Sequence, residues 1–113
     1  MGIDFSHTEA HWSYSGFMNF RRRIAQEIEI DLDMMEGFGG DIPFDSVNDP
    51  IMPLLNHSDC EGELTPKECG IVAPRLRELV STWDDEDYDK RHALYLAEGM
   101  DEAVDRNENL IFT

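Results

Sequence analysis

Apolar residues recur at helical spacing along three stretches of this chain. From Ser15 to Ile28, the residues Phe17, Phe20, Ile24 and Ile28 fall on one face at steps of three and four, which predicts an amphipathic helix with Ser15 as its N-cap. A second helix follows from Cys69, Val72, Leu76, Leu79, Val80 and Trp83. Its start is marked by Thr65-Pro66-Lys67-Glu68, where an N-cap threonine, a proline at the first helical position and a glutamate at the third form a capping box. Pro74 lies inside this helix and is expected to kink or split it near Ala73. A third helix is expected over about residues 86–105, with Tyr88, His92, Leu96, Met100 and Ala103 on one stripe.

Shorter elements fill the remainder. Asp31 precedes a helical turn over Leu32 to Glu36, which Gly37-Phe38-Gly39-Gly40 breaks. Asp49-Pro50 opens another short helix, whose inner face is Ile51, Leu54 and Leu55. Ile3-Asp4-Phe5 and Leu110-Ile111-Phe112 read as short strands, and an antiparallel pairing of the two ends is expected. The fold class is therefore mainly α: a single domain over residues 1–113 of four to five short helices, with a minor two-stranded pairing of the termini.

Composition supports a packed core, since 41% of residues are hydrophobic and the aromatics are two Trp, three Tyr and six Phe. No apolar run approaches the ~20 residues of a membrane span, and the N-terminus lacks a signal peptide's basic and apolar regions. Gly2 with Ser6 superficially matches a myristoylation signal, without a supporting basic patch. The two cysteines do not make a disulfide scaffold, so a cytoplasmic protein is the expectation. Twenty-five acidic against nine basic residues leave a net charge of −16. Such a surface repels a phosphate backbone and disfavours direct nucleic-acid binding, whereas it is steered toward a basic protein cleft. The acidic surface is expected at Asp84, Asp85, Asp87 and Asp89. Arg21, Arg22 and Arg23 are expected to be solvated or paired with carboxylates.

His57-Ser58-Asp59-Cys60-Glu61-Gly62-Glu63-Leu64-Thr65-Pro66-Lys67-Glu68 resembles an EF-hand calcium loop. It has carboxylates at positions three, five, seven and twelve and a glycine at six. Its first position departs from the pattern, because calcium wants an oxygen ligand and His57 offers nitrogen. Calcium, if bound, would be held by Asp59, Glu61, the Glu63 carbonyl and Glu68, with Asn56 or Ser58 replacing the first ligand. The rival is a turn-and-cap without any ion, in which Gly62 makes the turn and Thr65 with Glu68 makes the cap. Zinc, a weaker reading than calcium, would use His7 and His11, four apart on a helix face, with His57 and Cys60. Cys60 and His57 lack an identifiable third group, and Cys69 fits a small core residue, so no enzyme is expected.

The segment His11-Trp12-Ser13-Tyr14-Ser15-Gly16-Phe17 supplies either core or the wall of a ligand or partner pocket. Such a pocket would comprise His11, Trp12, Tyr14, Arg21 and His57. That segment, together with Leu54-Leu55-Asn56-His57-Ser58-Asp59-Cys60, resembles a group of small, uncharacterised acidic proteins of actinobacteria and their phages. The resemblance brings no activity, cofactor or catalytic residue. It implies a bacterial or phage setting, in which small acidic proteins act as inhibitors of host enzymes or defence systems. The expected function is a non-enzymatic acidic protein engaging a basic partner. The alternative is a metal- or small-ligand-binding module built on the 57–68 loop and the aromatic segment.

Overall fold

The computed structural model describes residues 2–35, 39–43, 46–55 and 62–113. The strands β1 (Ile3–Asp4) and β2 (His11–Trp12) lead into α1 (Tyr14–Glu27) and a 3₁₀ turn at Leu32–Met34. After α2 (Met52–Leu55) and β3 (Gly62–Leu64) come α3 (Pro66–Val80), α4 (Tyr88–Arg106) and β4 (Leu110–Phe112). Helices dominate, as the apolar periodicity predicts.

The cap of helix α1 falls two residues before the expected one. Ser13, not Ser15, is the N-cap, its Oγ accepting from the Gly16 N–H at 3.0 Å. The reason lies upstream: β2 keeps the backbone extended through Ser13, which has the β-region geometry an N-cap needs. The buried face holds Phe17, Phe20, Ile24 and Ala25, and also the cation Arg21.

Helices α3 and α4 form a hairpin that is the main packing unit. Cys69, Val72, Ala73, Leu76, Leu79 and Val80 of α3 face Ala93, Leu96, Ala97, Met100 and Ala103 of α4 within one core. The capping box forms as expected: Thr65 Oγ1 accepts from the Glu68 N–H at 3.2 Å, and Glu68 Oε1 accepts from the Thr65 N–H at 2.9 Å. Of the kink or split expected at Pro74, the split does not occur, and α3 runs unbroken to Val80. Pro74 and Gly70, whose carbonyl it cannot bond, are both exposed, so water can serve that acceptor while the opposite face stays packed.

Asp87 caps α4, and Asn107 ends it in the left-handed conformation (φ 54°), with the Glu108 N–H bonding the Ala103 carbonyl at 2.9 Å. Gly99 is required by close approach: a Cβ there would lie 2.6 Å from Thr8 Cβ, where the turn after β1 rests on α4. Thr8 anchors that turn by donating to the Tyr95 carbonyl at 2.7 Å.

The first and last strands do meet. Phe5 bridges Phe112, and Asp4 and Thr113 exchange backbone hydrogen bonds of 3.1 and 2.9 Å. Each end also has a second partner unforeseen in the sequence: β1 pairs antiparallel with β2, and β4 with β3. The resulting row, β2-β1-β4-β3, seats Phe5, Trp12 and Phe112 against Phe17 and Phe20 of α1. Trp12 stacks on Phe20 with ring centroids 4.6 Å apart.

Candidate functional site

A cluster of charged side chains, Arg23, Asp85, Asp87, Asp89 and Lys90, meets at the N-terminal end of α4. The chain turns at Asp84–Asp87, closed by the Asp87 N–H to the Asp84 carbonyl at 2.9 Å, and then enters the helix. Asp87 Oδ1 accepts from the Asp89 N–H at 2.8 Å and the Lys90 N–H at 3.4 Å, serving orphan donors of the first turn. Arg23, reaching over from α1, grips this carboxylate with both Nη atoms at 3.0 Å and touches Asp89 Oδ2 at 2.7 Å. Its guanidinium lies 3.8 Å from the centre of the Trp83 ring. The Arg23 hydrogen bond holds the Asp87 carboxyl below the usual carboxylate range, and the Asp87 hydrogen bond raises Arg23. Asp89 also accepts from Trp12 Nε1 at 2.9 Å, tying the strand pair to the same node.

The acidic quartet expected as surface thus divides by role. Asp87 and Asp89 are structural, held by Arg23, and Asp85 pairs with Lys90 at 2.6 Å while remaining exposed. Asp84 is exposed, its carboxylate accepting from the Glu86 N–H at 2.9 Å. Of the three adjacent arginines, Arg22 and Arg23 pair with carboxylates as expected, and Arg21 is not solvated. It is fully buried, with its guanidinium 4.9 Å from the Phe17 ring centre and Nη2 donating to Met18 Sδ at 3.5 Å.

Tyr88, His92 and Tyr95 line the next turns of α4. Tyr88 stacks on His92 with centroids 4.0 Å apart and donates its hydroxyl to the His11 carbonyl at 2.6 Å. His92 Nδ1 accepts from the His11 N–H at 3.0 Å, which requires the neutral ring with its proton on Nε2. Burial lowers the His92 pKa, assisted by Arg91 and His11; Glu9 and Asp89 oppose this. Sequence reasoning missed His92 as a polar anchor because its bonding partner is a strand of only two residues, eighty-one positions away.

The expected pocket does not assemble from the described residues. Trp12 is 1% and Arg21 0% exposed, both within the core, whereas Tyr14 lies at the surface. Core packing, the plainer reading of the aromatic segment, is what its Trp12 and Phe17 do. A recess of about 330 Å³ lies elsewhere, lined by Arg22, Gln26, Ile30, Asp31, Leu32 and Asp33. Among the described residues its lining includes no aromatic or histidine side chain.

The expected shared helix face of His7 and His11 is also corrected. His7 sits in a turn at φ 69° with Nε2 2.9 Å from Glu108, and His11 sits on β2 with Nδ1 2.8 Å from Asp4. Hydrogen bonding between β1 and β2 claims this segment, so no helix forms there. Of the calcium-like loop, Asn56, His57, Ser58, Asp59, Cys60 and Glu61 lie outside the described residues. Glu63 is exposed on β3, and the Glu68 carboxylate serves the capping box. Among the described residues no group of three or more His, Cys, Asp and Glu is placed to hold a metal ion. Cys69 is a core residue, as expected, its thiol pushed up to about 11 by burial.

No helix among the described residues is long and apolar enough to cross a membrane. No protein-family model matches this chain, and no curated protein or solved structure matches it at a significant level.

Proposed function

We propose that this chain is a non-enzymatic acidic protein that engages a basic partner protein, acting as a phage- or mobile-element-encoded inhibitor of a host system. The observation carrying the first part is how the charges are spent. Arg22, Arg23, Arg75, Arg77, Lys90 and Arg106 are all held by carboxylates of the same chain, and Arg21 is buried. The remaining two cations, Lys67 and Arg91, are exposed, so the excess of carboxylates behind the net charge of −16 faces solvent with little cationic charge interspersed. Asp84, Glu86, Glu98 and Asp105 are exposed and have no cationic partner among the described residues. Such a surface raises the encounter rate with a basic cleft and repels nucleic acid. The inhibitor role rests on the resemblance to acidic proteins of actinobacteria and their phages.

Pull-down from an actinobacterial lysate tests this reading. The chain is compared at low and high salt with a variant carrying lysine at those four positions, away from the Arg23 node. A specific protein should be retained at low salt, released at high salt, and not retained by the variant, because exposed charges are screened beyond ~8 Å at physiological ionic strength. Retention indifferent to both salt and charge reversal would overturn the electrostatic reading. Recovery of a metal or nucleotide without any protein would favour the small-ligand module.

A further inference from the structure

Tyr88 has one ring face against His92 and its hydroxyl fixed on the His11 carbonyl, yet 45% of the residue is exposed. The opposite ring face is open to solvent and already held in one orientation, so little side-chain entropy remains to be lost on binding. His92 beneath it is neutral, since Nδ1 accepts a backbone N–H, and so adds no repulsion to an approaching cation. The turn leading into Tyr88 carries the exposed carboxylates of Asp84 and Glu86. Of the cations near this turn, Arg23 is committed to Asp87 and Asp89 and Lys90 to Asp85, while Arg91 is exposed one helical turn further on.

The same end of the fold shows what this chemistry does with a guanidinium. Arg23 sits over Trp83 while Asp87 takes its forked donors, an aromatic face and a carboxylate acting together. We propose that the open face of Tyr88, with Asp84 and Glu86 beside it, is the point at which an arginine side chain of a basic partner protein docks. This rests on the basic-partner reading and gives it an address. Arginine is specified over lysine because its planar, weakly hydrated group can stack on the ring and fork to a carboxylate at once.

Binding of labelled oligoarginine and of oligolysine of equal length, followed by fluorescence anisotropy at low and high salt, tests the proposal. Oligoarginine should bind more tightly than oligolysine. Tyr88→Leu should weaken oligoarginine by about three- to tenfold, while Tyr88→Phe, which keeps the ring, should retain most of the affinity. Asp84→Asn with Glu86→Gln should weaken binding and flatten its salt dependence. A Tyr88→Leu protein that melts like the parent and binds oligoarginine equally well overturns the Tyr88 site alone. Should Tyr88→Leu not fold, unchanged affinity in the Asp84/Glu86 double variant has the same consequence. A parent protein that binds neither peptide overturns the basic-partner reading together with this one.

Discussion

Asp87 shows how one side chain can be both a local signal and a long-range tie. Its carboxylate caps α4 through the Asp89 and Lys90 N–H groups and receives the fork of Arg23 from α1. These contributions can be separated. Asp87→Asn keeps an oxygen for the cap and loses the charge, so it should cost only the modest worth of a partly exposed ion pair, about 0.2–1 kcal/mol. Asp87→Ala loses both and should cost about 1–2 kcal/mol, most of it the cap. Urea unfolding of the two variants checks the order; equal losses would mean the cap contributes nothing. Reversing this residue to lysine would confound any binding experiment, because a cation would then face Arg23 at a helix N-terminus.

At the scale of the element, α3 sets an internal proline against a packed face. Pro74 removes one helical hydrogen bond and still does not end the helix, because Ala73, Leu76, Leu79 and Val80 are buried against the rest of the core. Local propensity disfavours the proline by ~3 kcal/mol relative to alanine in a helix interior, and packing outweighs that. Pro74→Ala should therefore stabilise the protein, by about 1–2 kcal/mol once the looser unfolded chain is counted. A lower urea midpoint for the variant would contradict this account. Its exposed position makes the change a test of backbone energetics with little effect on the core.

For the whole molecule, the pH dependence of stability follows from where the fold places its titrating groups. Burial lowers the His92 pKa below its ordinary 6.5, so the folded state favours the neutral ring. The associated stability is present in full above the unfolded value and is lost as pH falls below it, since the unfolded chain takes up the proton more readily. Asp85 and Asp87, lowered by Lys90 and Arg23, contribute stability above their ordinary 3.8 that disappears as pH drops further. Melting temperature should decline in two stages, a shallow one below about pH 6.5 and a steeper one below about pH 4. His92→Gln offers an amide oxygen to the same His11 N–H without titrating, and it should remove the first stage only. A first stage unchanged in that variant would place the titration elsewhere.

The two long helices α3 and α4, the capping box at Thr65 and the burial of Phe17, Phe20, Ile24, Leu76, Leu79, Leu96 and Met100 were legible in the sequence. Each depends on neighbours three or four positions away, the range over which periodicity carries information. The meeting of the first and last strands was legible too, but not their second partners. β2 has two residues and β3 three, too few to show an alternating pattern. That missing strand pair is why His7 and His11 read as a helix face and why Ser15 read as the cap of α1. The candidate site was half legible: the acidic run was visible, yet Asp87 and Asp89 look no different from Asp84 until Arg23, more than sixty positions away, reaches them. Composition determined an acidic, core-forming helical chain. Tertiary structure alone decided which carboxylates neutralise the chain's own cations and which face outward, because a salt bridge between distant segments leaves no mark on local spacing.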